Sequence, residues 1–427
     1  MSAPERVDSH VAADSAVARP RLLFLCQTLP YPPDGGVQIR TYNVLRLLAR
    51  DFDVTALCFY RTGLLPTAER VAKSVRELGR LGDIQEFPIP QEHSKRRLLM
   101  DHLRSVLSGR AYTVTAYDSA PFRSRLVQLL AEKRFDLVHM DSLDLAGYVP
   151  LLRDLPVVCV HHNVESALLR SRAQTFRAPA RAYLTYQAHL TENEEKRFIP
   201  SIDLNIAVSR DDAEAIRRLA PSSRVVVIPN GVDTQAFTPG SDAGESGGLV
   251  FVGGHSWQPN RDAMAYFCEE ILPIIRQRGV NPPVTWVGSA SEEAKREYLE
   301  RYSVRLTGYV DDIRPFVHQA ACYIAPLRAG GGTRLKILDA WAMGKALVST
   351  TVGCEGLDAR DGDNIVIRDT PADFAQAVIE LLAGAELRQR IGRSARRTAE
   401  RVYDWEVIGV DMLAHYRTLL TSGARSA

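Results

Sequence analysis

Three consecutive glycines, followed by two cations and a carboxylate, are the residues of this sequence best suited to chemistry. Backbone N–H groups and the positive end of a helix dipole attract phosphate where a glycine loop enters a helix. A carboxylate one turn further along such a helix suits the hydroxyls of a diol. The spacing therefore predicts a site for a nucleotide diphosphate sugar, rather than an ordinary loop before a core helix. The residues are Gly330, Gly331, Gly332, Thr333 as the N-cap near which the helix begins, Arg334, Lys336 and Asp339.

A second pair of glycines, Gly35 and Gly36, follows the first predicted strand, Leu22–Cys26, and opens the first predicted helix. An anion can bind at such an N-terminus, and the phosphate of a ligand in a cleft would approach here. The segment lacks the Gly-x-Gly-x-x-Gly spacing of a dinucleotide fingerprint. The alternative interpretation is a proline-rich turn that binds no ligand.

Two adjacent histidines, His161 and His162, follow a predicted strand that ends at Val160. Neighbouring side chains of an extended chain point to opposite sides, which argues against a shared metal ion. We predict that one histidine packs and that the other, His162, faces the cleft as a catalytic group, with Asn163 and Glu165 beside it. The alternative is that both histidines are structural.

Neither a metal site nor a cofactor is predicted. Asp51 and Asp53 match the Asp-x-Asp pattern of metal–diphosphate sites, and so do Asp361 and Asp363. Two matches are expected by chance in a chain with 51 acidic residues. One match begins a predicted strand and the other lies in a predicted turn, so both are discounted.

The composition is typical of a globular protein of two or three domains. The chain has 427 residues, 45% of them hydrophobic and 24% charged, and its formal net charge is +2. Its six cysteines lack metal or redox spacing, which predicts reduced core thiols and a cytoplasmic protein. There is no dense basic stripe with interleaved aromatic residues, so we expect no nucleic-acid partner.

A basic amphipathic helix is predicted for residues 94–110. Five Lys or Arg residues stand against Asp101, which gives a charge of +4. Such a segment is either a solvated surface helix or a peripheral contact with an anionic membrane or an anionic acceptor. The apolar residues that share one face of this helix are Leu99, Leu103, Val106 and Leu107.

Short β-rich runs alternate with longer helical periods along the chain. This pattern predicts an α/β fold of two doubly wound, Rossmann-like domains that face each other across a cleft, with ligands at the carboxyl ends of the strands. The run from Val225 to Asp233 is interpreted as the join between the domains. The predicted segments are a disordered tail at 1–20, a first, acceptor-side domain at 21–228, a linker at 229–248, a second, nucleotide-sugar domain at 249–400, and a final helical segment at 401–427 that crosses back to the first domain.

These motifs together resemble the large family of retaining, nucleotide-sugar-dependent glycosyltransferases with the GT-B fold, the glycosyl transferases of group 1. The resemblance covers nearly the whole chain after residue 20 and rests chiefly on 330–344, 228–233 and the Gly35-Gly36 loop. The Gly-Gly-Gly-Thr-Arg-Leu-Lys and His-Asn-Val-Glu-Ser runs are similar to those of a bacterial subgroup that is often tied to polysaccharide assembly.

The resemblance implies roles for individual residues. Gly35 and Gly36 would approach the donor diphosphate, and His162 would contact the donor sugar and the β-phosphate. Asp339 matches the second acid of a Glu-x7-Glu motif, which holds the ribose hydroxyls. The main chain of Val310 would meet the base.

Three departures from the family pattern concern the donor site. Gly331 stands where the first acid of the Glu-x7-Glu motif is expected, and Asp339 replaces its second Glu. The Arg and Lys that usually follow the first strand of the second domain are also replaced. The candidates for binding the diphosphate are therefore Arg334, Lys336 and Arg261.

The activity that the resemblance implies is transfer of a sugar from a nucleotide diphosphate donor, of the UDP or GDP type, to an acceptor with retention of configuration. The acceptor would be a small molecule or lipid-linked. His162, Arg334 and Lys336 are the predicted catalytic residues, because the leaving diphosphate must be stabilised without a metal. Two alternatives stay open, namely a GT-B nucleotide-sugar epimerase and a non-catalytic nucleotide-sugar-binding partner.

Overall fold

Two parallel β-sheets, of seven and six strands, form the centres of two α/β domains. The computed structural model describes residues 19–65, 67–90, 94–174, 176–240, 247–329 and 334–421. The predicted fold class is confirmed within these ranges. Most of the predicted tail, at 1–18, and part of the predicted linker, at 241–246, lie outside the described residues.

The first sheet contains seven strands that all run parallel. They are β1 (Arg21–Cys26), β2 (Asp53–Tyr60), β3 (Asp83–Pro88), β4 (Leu137–Met140), β5 (Val157–His161), β6 (Leu204–Ala207) and β7 (Val225–Val227). Their order across the sheet is β3-β2-β1-β4-β5-β6-β7. The central strands are continuous apolar runs because helices cover both faces. The three valines of β7, which the sequence assigned to the join, pair with β6 instead.

Eight α-helices cover this sheet in the described part of the chain, together with a 3-10 segment at Leu143–Leu151. The side chains of Thr67, Ser94 and Ser209 accept hydrogen bonds from backbone N–H groups at the N-termini of the second, third and eighth helices, as good N-caps do. The helices are α1 (Gly36–Asp51), α2 (Ala68–Leu78), α3 (Lys95–Ser108), α4 (Tyr112–Ala116), α5 (Ala120–Glu132), α6 (Glu165–Gln174), α7 (Ala180–Phe198) and α8 (Arg210–Leu219).

The second sheet is also parallel throughout. Its strands are β8 (Gly248–Val252), β9 (Val284–Val287), β10 (Val304–Leu306), β11 (Ala320–Ala325), β12 (Leu347–Ser349) and β13 (Val366–Ile367). Their order is β10-β9-β8-β11-β12-β13. The helices that accompany this sheet are α9 (Gln258–Tyr266), α10 (Leu272–Gln277), α11 (Glu292–Tyr302), α12 (Arg314–Gln319), α13 (Leu335–Ala342), α14 (Pro371–Ala383) and α15 (Ala385–Thr398), with π-helical turns at Phe267–Ile271 and Ala399–Tyr403.

The last helix, α16 (Trp405–Thr421), packs on α1 of the first domain. Gly409 permits the close approach, because a Cβ atom there would lie 2.6 Å from Leu47 Cδ2. Two ion pairs flank the contact, from Arg46 and Arg50 to Glu406. In the part of the chain that the structure describes, none of the helices is long and apolar enough to cross a membrane.

Candidate active site

The carboxyl edges of the two sheets meet in one cleft. Each sheet reverses its strand order, at β1/β4 in the first domain and at β8/β11 in the second, and such reversals are where ligands bind in open α/β sheets. The N-termini of α1 and α13 face each other there, since a Cβ atom on Gly36 would lie 3.5 Å from Leu335 Cδ1. Gly35 is the N-cap of α1.

The glycine loop itself falls in a gap of the structure. Gly331, Gly332 and Thr333 lie outside the described residues, so their predicted contacts with the donor stay predictions. Helix α13 begins at Leu335, with Arg334 at the N-cap position, rather than near Thr333 as the sequence indicated.

Lys336 ties α13 to the first turn of α9, which follows β8. Its ammonium group donates to Asn260 Oδ1 at 2.6 Å and lies 4.4 Å from the centre of the Phe251 ring. Asn260 in turn donates to the carbonyl of Gly254 at 3.0 Å. Burial, together with the charge of Arg334, lowers the pKa of Lys336 to about 7. The amine is therefore poised to gain a proton when an anion enters the site.

The other charged residues of α13 have perturbed pKa values as well. Burial raises the pKa of Asp339 to about 7, although the charge of Lys336 opposes this shift. Burial lowers the pKa of Arg334, and the carboxylate of Glu355 opposes the change. Two cations and a carboxyl group thus share a poorly solvated region at the start of one helix, as expected where an anionic ligand is to replace water.

Two predicted donor-binding residues lie further from this group. Arg261 is exposed in the first turn of α9, next to the Asn260 that Lys336 contacts, and its charge adds to the burial that lowers the pKa of His255. Val310 is half-buried in the segment after β10 and packs against the core of the second domain.

The two histidines differ in their surroundings. His161 is buried within the sheet, where its Nε2 lies 2.9 Å from Asn205 Oδ1, and burial lowers its pKa to about 4. His162 follows β5 at the cleft, with Nε2 3.5 Å from Oδ2 of Asp141. The neighbouring strand β4 ends just before Asp141, and this adjacency brings the two side chains together.

Asp141 is a site residue that the sequence analysis missed. Its side chain is fully buried and accepts a hydrogen bond of 2.7 Å from Thr41 Oγ1. Burial alone would raise the pKa of Asp141, but His162 and His139 hold it below its usual range. The available signal was an acid directly after a short, mostly apolar strand, at the sheet edge that binds ligands.

Four carboxyl groups, those of Asp144, Glu165, Glu194 and Glu195, line a small cavity of about 20 Å³ beside His162. Burial raises the pKa of Asp144, and burial together with the charge of Asp144 raises the pKa of Glu165 to about 8. Glu165 therefore carries a proton at neutral pH and can donate a hydrogen bond. The sequence placed Glu165 near His162 but gave no sign of Asp144.

A larger cavity of about 230 Å³ lies between the domains. Asn163 and Asp212 line it from the first domain, and Glu355 and Gly356 line it from the second. The cleft thus brings a second-domain carboxylate opposite the segment that carries His162.

Arg40 links α1 to the chain between the domains. Its guanidinium donates to the carbonyls of Ile228 and Pro229, both at 2.9 Å, and to Oδ1 of Asn230 at 3.0 Å. Only 1% of this residue is exposed, and burial lowers its pKa to about 10 although the charge of Asp141 opposes the shift. The buried charge of Arg40 thus holds the start of the linker close to Asp141.

The side chains of the discounted Asp-x-Asp pairs make ion pairs and hydrogen bonds with other protein residues. Asp51 pairs with Arg417 of α16, Asp361 with Arg368, and Asp363 accepts from Ser394. Among the residues that the structure describes, no group of three or more His, Cys, Asp or Glu side chains is arranged to hold a metal ion.

Comparison with known proteins identifies the family. The family described as Glycosyltransferase Family 4 matches residues 34–236, and the family described as Glycosyl transferases group 1 matches residues 246–384. The phosphatidyl-myo-inositol mannosyltransferase of Mycobacterium tuberculosis is 30% identical over 312 residues, which cover 69% of this chain and 77% of that protein. The chain belongs to the group 1 glycosyltransferases.

Another relative matches most of the chain, and solved structures share its fold. An uncharacterized 44.6 kDa protein in the cps region of Klebsiella pneumoniae is 21% identical over 406 residues, 90% of this chain and 96% of that one. In fold, the chain is similar to sucrose-phosphate synthase of Thermosynechococcus elongatus, with a TM-score of 0.67, 16% identity, and coverage of 94% of this chain and 100% of that one. Anabaena HepE, solved in complex with UDP, has a TM-score of 0.66 at 16% identity over 93% of this chain and all of the other. These structures share the two-domain fold of this chain, and the protein is a group 1 glycosyltransferase of the GT-B type.

Proposed function

We propose that this glycosyltransferase moves a sugar from a nucleoside diphosphate donor to an acceptor hydroxyl with retention of configuration and without a metal ion. The observation that carries the proposal is the position of Lys336. Its ammonium joins the first turn of α13 to Asn260 at the β8/β11 reversal, with Arg334 beside it. Cations and helix N–H groups fixed in a poorly solvated site stabilise a leaving diphosphate, which is the main demand of this chemistry.

The positions of α13 and α1 also suggest the remaining contacts with the donor. Asp339, one turn beyond Lys336, would accept hydrogen bonds from the ribose hydroxyls. The main chain of Val310 would contact the base. The N-terminus of α1, at Gly35 and Gly36, would approach the diphosphate from the first domain, since it faces the N-terminus of α13. The glycine loop and Arg261 would complete the phosphate contacts, and the donor would be of the UDP or GDP type.

A carboxylate is still needed for the donor sugar, because Gly331 occupies the position of the missing acid. We assign this role to Glu355, which lines the cavity between the domains opposite Asn163 and lies close enough to Arg334 to affect its pKa. Its acceptor oxygens can bind sugar hydroxyls where the two domains meet.

Retention follows if the acceptor attacks on the face that the diphosphate leaves. The bond between the anomeric carbon and the diphosphate oxygen breaks, and a bond from that carbon to the acceptor oxygen forms. The acceptor proton passes to the departing phosphate oxygen, so no carboxylate nucleophile is required. Arg334 and Lys336 take up the negative charge that develops on the diphosphate.

The acceptor side is assigned to the first domain. His162, held by Asp141, would contact the reacting sugar, while Asp144 and protonated Glu165 would bind acceptor hydroxyls as acceptor and donor of hydrogen bonds. The acceptor is a small molecule or a lipid-linked one. The name of the mycobacterial relative, a phosphatidyl-myo-inositol mannosyltransferase, supports the second choice.

The test combines binding with product analysis. Thermal unfolding with UDP, GDP, ADP and dTDP should show one preferred base, because a ligand that binds only the folded state raises its stability. Incubation with the matching donor sugars and no acceptor should then release free sugar, whose first-formed anomer in the NMR spectrum should match the donor. An inverted anomer would refute retention. A sugar of changed configuration would indicate an epimerase, and binding without any turnover would refute catalysis.

A further inference from the structure

Helix α3 of the first domain is amphipathic, but its apolar face is turned towards solvent and not towards the core. Two of its polar residues, Asp101 and Ser105, are fully buried, while its apolar residues face solvent together with the cations Lys95, Arg96 and Arg104. The exposed apolar stripe consists of Leu99 (62% exposed), Met100 (52%), Leu103 (47%), Val106 (44%) and Leu107 (85%). Soluble proteins expose single apolar side chains freely, but a contiguous stripe along one helix marks a surface that meets a partner.

The inward contacts of α3 fix this orientation. Arg97 donates to both oxygens of Asp101, at 2.8 and 2.9 Å, and Ser105 Oγ donates to the carbonyl of Arg110 at 2.7 Å. His102 lies 2.5 Å from the hydroxyl of Tyr183 on α7. The bonds of Asp101 and of Ser105 with Arg110 are local to α3 and the turn after it, but Gln187 Nε2 of α7 also donates to Ser105 Oγ at 2.8 Å. Rotating the helix to bury its stripe would break the contacts of His102 and Ser105 with α7, so the stripe is a stable feature of the folded domain.

The charges around the stripe indicate what covers it. Lys95 and Arg96 are exposed at the start of the helix, and neither has an ion pair with another described residue. Three of the five predicted cations are already paired, Arg97 and Arg104 with acids of the first domain and Arg110 with Glu194. Since Asp101, the one acid of α3, is buried, the outer surface of the helix is apolar and positive. Two copies of this surface would repel each other, whereas an anionic lipid layer would complement it.

The stripe also lies close to the acceptor side of the site. The chain that follows α3 enters α4, and Ala111, Thr113 and Val114 line the cavity beside His162. A surface bound to α3 would therefore lie within a few residues of the place where an acceptor reacts.

We infer that the stripe and the flanking cations of α3 dock the first domain on an anionic phospholipid membrane and present the His162 cavity to an acceptor at that surface. Docking itself rests on α3 alone; the delivery of an acceptor rests on the proposed function. The apolar side chains enter the boundary between headgroups and acyl chains, and Lys95 and Arg96 contact lipid phosphates.

Vesicle co-sedimentation tests this inference directly. The full-length protein should pellet with phosphatidylcholine vesicles that contain phosphatidylglycerol, and much less with phosphatidylcholine alone. Replacing Leu99, Leu103 and Leu107 by Ser should reduce the bound fraction by about tenfold or more, because the apolar contact is lost. A matched control replaces three exposed apolar residues elsewhere, namely Leu299→Ser, Val407→Ser and Val410→Ser, and should bind as the wild type does.

A second pair of variants examines the cations. Lys95→Gln with Arg96→Gln should bind more weakly and lose the salt dependence of the wild type, whereas Arg393→Gln with Arg401→Gln, exposed on the second domain, should not. Failure of the wild type to bind anionic vesicles would refute the inference. So would a dimer, detected by light scattering, that the stripe variant dissociates. Donor hydrolysis in the same preparations reports separately on the proposed function, because the stripe variants retain the donor site.

Discussion

The carboxylate of Asp141 lies 3.5 Å from Nε2 of His162, with its side chain fully buried at the end of β4. A buried anion beside an imidazole orients the ring. Thr41, from α1, fixes the carboxylate from the other side. His162 is therefore held in position by two elements that also border the donor cleft, and this arrangement makes Asp141 a positioning residue.

Replacing Asp141 with Asn should lower kcat by roughly tenfold to a hundredfold, because a misplaced catalytic group loses most of its effect. His162→Ala should lower kcat by roughly a hundredfold. In a double-mutant cycle the two losses should not add, since Asp141 acts through His162. His161→Ala, which removes a buried partner of Asn205, should lower thermal stability more than turnover. Additive losses would show that Asp141 acts independently of His162.

Lys336→Met should weaken binding of a nucleoside diphosphate by about 1.5–3 kcal/mol, the range for a hydrogen bond to a charged group, and leave binding of the nucleoside nearly unchanged. Isothermal calorimetry with both ligands measures the difference. Arg393→Gln, which removes an exposed cation of the second domain, serves as the charge control. If the nucleoside and the diphosphate lose affinity equally, Lys336 supports the fold and not the phosphate.

The pH dependence of binding should differ between these ligands. Asp339, whose pKa is about 7 in the free protein, must be ionised to accept the ribose hydroxyls, so nucleoside affinity should rise with pH through 7. Lys336, also with a pKa of about 7, must be protonated to bind phosphate, so the advantage of the diphosphate over the nucleoside should fall with pH. Each slope is at most about tenfold per pH unit, because one proton is involved.

Calorimetry in two buffers of different ionisation enthalpy gives the number of protons directly. Above pH 7, binding of the diphosphate should be accompanied by uptake of more protons than binding of the nucleoside. Asp339→Asn should abolish the rise of nucleoside affinity with pH. A flat profile for both ligands in the wild type would contradict the assignment of either residue.

Arg40→Met should destabilise the protein by about 1–3 kcal/mol or more, because it leaves the carbonyls of Ile228 and Pro229 and the side-chain oxygen of Asn230 without their donor. Urea unfolding followed by circular dichroism measures this change. Arg46→Met, on the same helix but in an exposed pair with Glu406, is the control and should cost no more than about 1 kcal/mol. Equal losses would mean that Arg40 contributes only its packing.

Turnover should survive EDTA within about twofold, since cations and helix N–H groups take the place of a metal at the diphosphate. Donor hydrolysis before and after chelation provides the measurement, with a metal-dependent glycosyltransferase as the positive control. Loss of activity that manganese or magnesium restores would overturn the proposal of metal-independent catalysis.

Local sequence was enough to predict the architecture and the donor helix. Buried parallel strands need continuous apolar runs, so β1, β4 and β5 can be recognised without knowing their neighbours. The cations and the carboxylate of α13 lie within six residues of each other, so helical periodicity alone brings them together. β7 escaped prediction because three valines beside a linker are too short to distinguish from an extended join.

Contacts between distant segments were decided by the tertiary structure. Lys336 meets Asn260 across 76 residues, and Arg40 meets Ile228 across 188, because strand order and not chain order sets which loops are neighbours. Asp141 meets His162 for the same reason, as β4 and β5 are adjacent in the sheet. The sequence also predicted an apolar face on α3, but it did not predict whether that face points to the core or to solvent. That direction depends on contacts of α3 with α7, where Tyr183 meets His102 and Gln187 donates to Ser105, and these contacts leave the apolar side exposed.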